Sequence, residues 1–160
     1  MNSKTAFQKI VDSHCAKTLP DGRMVLKLDW VWCHEITTPN AILDATGRGC
    51  DVVFNPNRVK AMIDHVNPAK DTASAVQGKI VREWSKKHQI EFLEVGRNGV
   101  CHAVIPEKGW IRPDQIGIMG TATPARTAHF ALSLQVSARP NSRTVSLRAF
   151  GFVRLKRSFG

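Results

Sequence analysis

The N-terminal sequence, MNSKTAFQKIVDSHC, lacks the uninterrupted apolar stretch that a signal peptide or a membrane span requires. The chain also has no C-x-x-C pair, and its cysteines, Cys15, Cys33, Cys50 and Cys101, are too widely separated to indicate a disulfide framework. We therefore expect a cytoplasmic protein that has reduced thiols and no membrane association.

Acidic residues are absent from the last quarter of the chain. The net charge is +10 over 160 residues, and seven of these positive charges lie in residues 121–160, which contain no Asp or Glu. Residues 1–120 carry the remaining +3. So abrupt a change in composition indicates a boundary, which leads either into a basic arm that binds nucleic acid or into a segment of different origin.

The hydrophobic pattern before this boundary alternates between helices and strands, with a length that suits one domain with one core. Such an alternation predicts an α/β domain with a largely parallel sheet, in which polar residues just beyond the strand ends gather in the ligand-binding crevice. The predicted helices are residues 4–16, 38–45 and 73–89, and the predicted strands are residues 24–32, 52–54, 92–95, 100–105 and 116–119.

Three short motifs at predicted strand ends contain histidine. His34 begins a sequence that resembles the zinc motif H-E-x-x-H, but Thr38 stands where the second histidine must be, so the zinc interpretation fails. Asp64-His65 is a carboxylate and imidazole pair of the kind used in acid-base chemistry. His102 lies within a short apolar segment predicted as a strand. Taken singly, His34 is better explained by a structural hydrogen bond at a strand end, and Asp64-His65 by a solvated turn. The alternative for His102 is a structural histidine in the core.

The order of these motifs carries more information than any one of them. HEITTPNAI, DHVNPAKD and GVCHAVIPEKGWIRPDQIGIMG follow one another at the spacing of the aconitase superfamily. Residues 6–120 resemble the N-terminal part of the large subunits of isopropylmalate dehydratase, homoaconitase and dimethylmalate dehydratase. The H-x-V-x-P-E-x-G segment is the most specific part of the resemblance. It implies a three-layer α/β/α aconitase-type domain, here truncated and followed by a tail foreign to the family.

The resemblance also implies an activity, namely reversible removal of water from a hydroxy di- or tricarboxylate, as in the isomerisation of isopropylmalate during leucine biosynthesis. By motif matching, Asp64 and His65 correspond to the pair that protonates the leaving hydroxyl, and His102 corresponds to the histidine that assists them. His34 corresponds to a polar residue that contacts the substrate. A small subunit supplies the remaining substrate contacts in such enzymes.

The same resemblance implies a [4Fe-4S] cluster that acts as Lewis acid on the departing hydroxyl. The cluster ligands of the family are three cysteines much further along a longer chain, and the four cysteines of this sequence do not match them. We therefore assign no metal ligand within these residues and expect the 160-residue chain alone to be inactive.

The family pattern ends at Gly120. Relatives continue with Asp-Ser-His-Thr and a Gly- and Ala-rich helix start, whereas this chain continues with Thr121 to Pro124. One base added after the Gly120 codon allows the shifted frame to read Asp-Ser-His-Thr-Cys-Thr-His-Gly-Ala-Phe. We infer that residues 121–160 are an out-of-frame translation, which also explains their lack of acids because a random frame is not selected to balance charge.

Two alternatives remain open for the whole chain. One is a basic nucleic-acid-binding protein built on a relic enzyme core, and the other is a non-functional product of a frameshifted gene. A basic nucleic-acid arm ranks below the out-of-frame interpretation of residues 121–160, because these residues lack the interleaved aromatics of a stacking platform and any known reader motif.

Sequencing the genomic locus tests the frameshift. We expect that one base restored near codon 120 resumes the family pattern, because the codons available for the amino acids at 121–130 permit it. An intact frame through Gly160, with no base lost on either side, would contradict this inference.

Overall fold

The computed structural model describes residues 4–20, 22, 24–120, 134–138 and 150–153. Within them, helices and strands alternate, and the strands form a five-stranded and a three-stranded sheet. The helices are α1 (Ala6–His14), α2 (Thr38–Gly47), α3 (Thr72–Lys87) and α4 (Cys101–Glu107), and a 3₁₀ turn spans Pro56–Arg58. The strands are β1 (Cys15–Thr18), β2 (Met24–Lys27), β3 (Trp30–His34), β4 (Val59–Met62), β5 (Glu91–Leu93), β6 (Ile116–Gly120), β7 (Leu134–Ala138) and β8 (Phe150–Val153).

The larger sheet has the strand order β5-β4-β3-β6-β7, and all its neighbouring strands are parallel. From β3 the chain adds β4 and β5 on one side, whereas β6 and β7 lie on the other side. The strand order therefore reverses between β3 and β6. In open parallel sheets the crevice at such a switch point, beyond the carboxyl ends of the strands, is where ligands bind.

Helices cover both faces of this sheet. On one face, α2 and α3 pack on β3 and β4 through a core that includes Cys33, Ile42, Ala61 and Val81. On the other face, the apolar side of α4 packs on Trp32 and neighbouring strand residues. This arrangement confirms the predicted three-layer α/β/α domain.

The smaller sheet is antiparallel, has the order β1-β2-β8, and lies next to α1. Thr5 begins α1 with a capping box, in which its hydroxyl accepts the N–H of Gln8 while the Gln8 side chain accepts the N–H of Thr5. Val11 and Leu26 join α1 and β2 to Ile116 of the larger sheet in one buried cluster.

The helices predicted at 38–45 and 73–89 and the strand predicted at 116–119 are confirmed, while the first helix is shorter than predicted. The strand predicted at 24–32 is instead two strands in different sheets. They separate at Asp29, whose backbone N–H and carboxylate both pair with Ile116. A continuous apolar run does not reveal where a chain passes from one sheet to another.

Two other strand predictions were wrong. The segment predicted as a strand at 100–105 forms α4, in which Cys101, Val104 and Ile105 are buried at helical spacing, and short apolar runs of this kind are ambiguous between the two structures. Residues 52–54 form no strand, and Val52 and Phe54 are exposed. His102 therefore lies on a helix and not within a strand.

Gly117 on β6 provides a test of how tightly the sheet packs. A Cβ added there would lie 2.0 Å from Cη2 of the buried Trp32 indole. We expect Gly117→Ala to lower the free energy of unfolding by about 1–3 kcal/mol, the usual cost of overpacking a core. Urea unfolding followed by tryptophan fluorescence measures this change.

Gly47→Ala is the matched control, because nothing lies within 4 Å of a Cβ added at this helical position. It should leave stability unchanged or raise it by about 0.5–1 kcal/mol. If the unfolding curves of Gly117→Ala and wild type overlay each other, the Trp32 indole moves aside without any loss of stability, and the prediction is wrong.

Candidate active site at the ends of strands β3 and β4

The candidate site lies where β3 and β4 end side by side. His34 is the last residue of β3 and pairs in register with Met62, the last residue of β4. Asp64 and His65 follow two and three residues after Met62. Because the two strands are parallel neighbours, their following loops meet at the same edge of the sheet, next to the switch point.

Glu35 joins the two loops. Its side chain is buried, and its carboxylate accepts three consecutive backbone N–H groups. Oε1 accepts those of His65 and Val66, each at 2.6 Å, and Oε2 accepts that of Asp64 at 3.2 Å. Three N–H groups that converge on one carboxylate form the kind of concave anion site that backbone amides build.

Asp64 connects this loop to α4. Its Oδ2 accepts the backbone N–H of Cys101, the first residue of α4, at 2.7 Å. Its Oδ1 lies 2.6 Å from Nδ1 of His65. Since a carboxylate only accepts hydrogen bonds, His65 donates through Nδ1–H, and in the neutral ring Nε2 is the nitrogen without a proton.

His34 and His65 stack on each other. Their ring centroids are 4.2 Å apart and the ring planes differ by 19°. The backbone N–H of Ile36 points at Nδ1 of His34 at 3.3 Å, so Nδ1 accepts and Nε2 carries the proton that faces Thr37 Oγ1 at 3.2 Å. His34 is 1% exposed, and the side chain of His65 is 36% exposed, so His65 is the more accessible of the two rings.

Burial and hydrogen bonding shift the pKa of the Asp64 carboxyl in opposite directions. Burial raises the pKa of its carboxyl, but bonds from the Cys101 thiol and backbone and from His65 outweigh burial, so the net pKa is lowered. The contact between Asp64 and Cys101 has the opposite effect on the Cys101 thiol, whose pKa it raises. Burial, together with the neighbouring Asp64, raises the pKa of Cys101 to about 12.

The structure brings three of the four predicted site residues together, because His34, Asp64 and His65 are in direct or successive contact. His102 is exposed in the first turn of α4, one residue after the N–H that binds Asp64. Sequence reasoning missed Glu35. The available signal was an acidic residue directly after a buried strand and next to a histidine.

The site also contains three potential metal ligands, since single ligand atoms of His34, Glu35 and His65 lie within 4.8 Å of one another. Their geometry does not suit a shared metal ion. An imidazole nitrogen binds a metal in its ring plane, and two nearly parallel stacked planes do not meet close to the rings. The carboxylate of Glu35 is already occupied by three N–H groups.

The cysteines of the chain do not fit an iron-sulfur cluster. Cys33 and Cys101 are buried in clusters on opposite faces of the sheet, Cys15 lies on β1, and Cys50 is exposed. Burial raises the pKa of Cys33 to about 12, as it does that of Cys101, whereas cluster ligands are thiolates. No three of these sulfurs converge on one point.

Fold and site together define the class: an α/β/α domain with a carboxylate-oriented imidazole at the switch point of a parallel sheet. Comparison with known proteins agrees, because the sequence profile of the Aconitase family (aconitate hydratase) matches residues 8–122. The chain belongs to this family. Among the helices of the described residues, none is both long enough and apolar enough to cross a membrane.

Within this family, the chain is similar to large subunits of 3-isopropylmalate dehydratase. The chain is 53% identical over 118 residues to the 3-isopropylmalate dehydratase large subunit of Geobacter metallireducens, and 53% identical over 119 residues to that of Desulfosudis oleivorans. The similarity to the Aquifex aeolicus large subunit is 37% over 114 residues. These matches cover 73%, 73% and 70% of the chain but only 28%, 27% and 26% of the relatives, so the chain spans about a quarter of their length.

The bonds to Asp64 predict how stability depends on pH. Because its pKa is lower in the folded protein than the ordinary value of 3.8, its contribution is present above 3.8 and is lost as pH falls through the folded value. Asp64→Asn should therefore reduce the free energy of unfolding by about 1–3 kcal/mol near pH 7. The difference in the free energy of unfolding between Asp64→Asn and wild type should shrink at pH values below 3.8, the ordinary pKa of aspartate. Urea unfolding across this range measures both effects.

Asp44→Asn is the control, because Asp44 makes an exposed ion pair with Arg48 within α2. Its effect near pH 7 should stay below about 0.5 kcal/mol, as for most surface pairs. If Asp64→Asn is equally harmless, the two bonds to Cys101 and His65 do not support the fold.

Proposed function

We propose that this chain is the N-terminal part of a hydro-lyase large subunit, of the kind that dehydrates and rehydrates a hydroxy di- or tricarboxylate of the isopropylmalate type. The observation that carries the proposal is the pairing of Asp64 with Nδ1 of His65, beside His34 and at the switch point of the sheet. The similarity to 3-isopropylmalate dehydratase large subunits supports the substrate class.

The geometry suits proton transfer by His65. Asp64 holds the Nδ1–H form of the ring, so a neutral His65 accepts a proton at Nε2 and a protonated one donates from the same atom. Removal of water from a hydroxy acid needs such a donor at the leaving hydroxyl, and addition of water needs the acceptor. One atom held in one place can serve both directions.

His34 and His102 complete the proposed set. His34 is buried, its Nε2 lies 3.2 Å from Thr37 Oγ1, and its ring stacks on His65, so its contact with the substrate is proposed from the family resemblance. His102 lies on the first turn of α4, where Asp64 anchors the helix, and it assists the proton transfer. The support for both roles is the match of each residue to the family motifs.

The [4Fe-4S] cluster implied by the family would supply Lewis-acid chemistry when bound in a complete large subunit. The four cysteines of this chain do not fit it, so its ligands must come from other residues of a complete large subunit. The small subunit, the hydroxy-acid substrate and a cytoplasmic location belong to the same proposal. By itself the 160-residue chain should not turn over substrate.

The out-of-frame origin of residues 121–160 is part of the proposal as well. The family match ends at residue 122, two residues beyond Gly120, after which one added base would allow the family motif to be read. In relatives of this kind the Asp-Ser-His-Thr motif would follow β6. Because β6 neighbours β3, that motif would lie at the same edge of the sheet as the site.

A chimera tests the function directly. Residues 1–120 replace the equivalent segment of the Geobacter metallireducens large subunit, which is produced with its small subunit and assayed for isopropylmalate dehydration. We expect activity from the chimera and only background from the 160-residue chain. His65→Asn in the chimera should lower kcat by about 10²–10⁴-fold, the usual contribution of a general acid or base.

His88→Asn is the matched control, because His88 also pairs with an aspartate, Asp51, but follows α3 at the opposite end of the sheet. Its kcat should match that of the unsubstituted chimera. Equal kcat values for His65→Asn and His88→Asn in well-folded chimeras would refute the role of His65. Turnover by the 160-residue chain alone would refute its dependence on other parts of the subunit.

A further inference from the structure

Glu35 has no role in the proton transfer described above, yet it is among the most buried polar residues of the domain, with 1% of its surface exposed. Its charge is compensated by dipoles, since its partners within the described part of the chain are the backbone N–H groups of Asp64, His65 and Val66. A buried carboxylate without such partners would be costly. The loop after β4 and the glutamate after β3 thus depend on each other.

The bound N–H groups belong to the residues that carry the proposed chemistry. Fixing the amides of Asp64, His65 and Val66 restricts the backbone on both sides of His65. Asp64 is also tied to the first residue of α4 by the N–H of Cys101. Glu35 is therefore the first member of a series of hydrogen bonds that runs from β3 through the acid-base loop to α4.

The ring of His65, like its backbone, is held by neighbouring residues. Asp64 binds its Nδ1, and the ring of His34, the residue before Glu35, lies against its face. Consecutive residues of one strand end thus contact the His65 ring and the His65 backbone, respectively. Such a support limits both the position of the ring and the direction in which Nε2 points, which is what an acid-base residue requires.

We propose that Glu35 is a positioning residue that, through the backbone of residues 64–66, holds His65 in the orientation and the Nδ1–H form needed for proton transfer at Nε2. This inference rests on the proposed function in one respect, that His65 is the proton carrier. It differs from a purely structural role, in which Glu35 would stabilise the domain as a whole without selecting a state of His65.

The test uses the full 160-residue chain labelled with ¹⁵N, as wild type, Glu35→Gln and Glu35→Asp. Glutamine keeps the shape but turns one acceptor into an NH₂ donor that opposes a backbone N–H. Aspartate keeps both acceptors on a side chain shorter by one methylene. Amide hydrogen exchange reports on residues 64–66, and long-range ¹H–¹⁵N spectra at about pH 8.5, where a histidine of ordinary pKa is neutral, report the His65 tautomer.

In Glu35→Gln we expect the amides of residues 64–66 to exchange at least about tenfold faster relative to Val81 in α3, as lost hydrogen bonds of this kind imply. The Nδ1 and Nε2 resonances of His65 should move towards each other as the tautomers mix. Glu35→Asp should restore part of both signals. Glu94→Gln, which removes an exposed carboxylate paired with Arg82, should leave both unchanged.

Two results would overturn the proposal. One is a folded Glu35→Gln chain whose His65 spectrum and amide exchange match wild type. The other is faster exchange by one common factor across β4, α3 and residues 64–66, which indicates only a loss of global stability. If Glu35→Gln does not fold, Glu35→Asp decides by the same criteria, and failure of both to fold assigns Glu35 a structural role.

None of these signals depends on turnover. Altered His65 signals together with an active His65→Asn chimera would retain the positioning by Glu35 and reject the proposed function. Unaltered His65 signals together with an inactive His65→Asn chimera would reject the positioning by Glu35 and retain the proposed function.

Discussion

Two carboxylates, those of Glu35 and Asp64, hold together three segments that are far apart along the chain. Glu35 binds the loop after β4 from the end of β3, and Asp64 in that loop binds the start of α4. Both use backbone N–H groups as partners, which are fixed in direction by the fold. The relative positions of His34, His65 and His102 therefore depend on a few short polar contacts at one edge of the sheet.

The use of backbone N–H groups as partners of Glu35 and Asp64 affects the charge around His65. A lysine or arginine bound to either carboxylate would bring a full positive charge beside His65 and favour its neutral form. The backbone N–H groups bound to Glu35 and the N–H of Cys101 bound to Asp64 add no charge that moves or titrates. Asp64 acts on the Nδ1 side of His65.

The position of the site follows from the order of the strands. β3 lies at the centre of the sheet, and the chain departs from it in both directions, so the ends of β3, β4 and β6 share one crevice. The motifs on β3 and β4 agree with the family. The family profile matches residues 8–122, which include β6, whose end borders the same crevice.

Much of this could be predicted from the sequence. The amphipathic pattern of residues 73–89 predicted α3, and the alternation of elements predicted a parallel sheet between helices, because burial of one helix face and of whole strands leaves a clear hydrophobic period. The order of the histidine motifs also led to His34, Asp64 and His65, since the residues after parallel strands converge whatever the details of the loops.

Other features were decided by tertiary structure alone. The apolar run at 100–105 fits a strand or a helix, and the bond from Asp64 to the N–H of Cys101, 37 residues apart, accompanies the helix. The break at Asp29 depends on pairing with Ile116, and the role of Glu35 depends on three amides about thirty residues away. Hydrophobic periodicity records which side of an element is buried. It does not record which distant polar group will meet a given carboxylate, because that depends on how the packed elements bring their ends together.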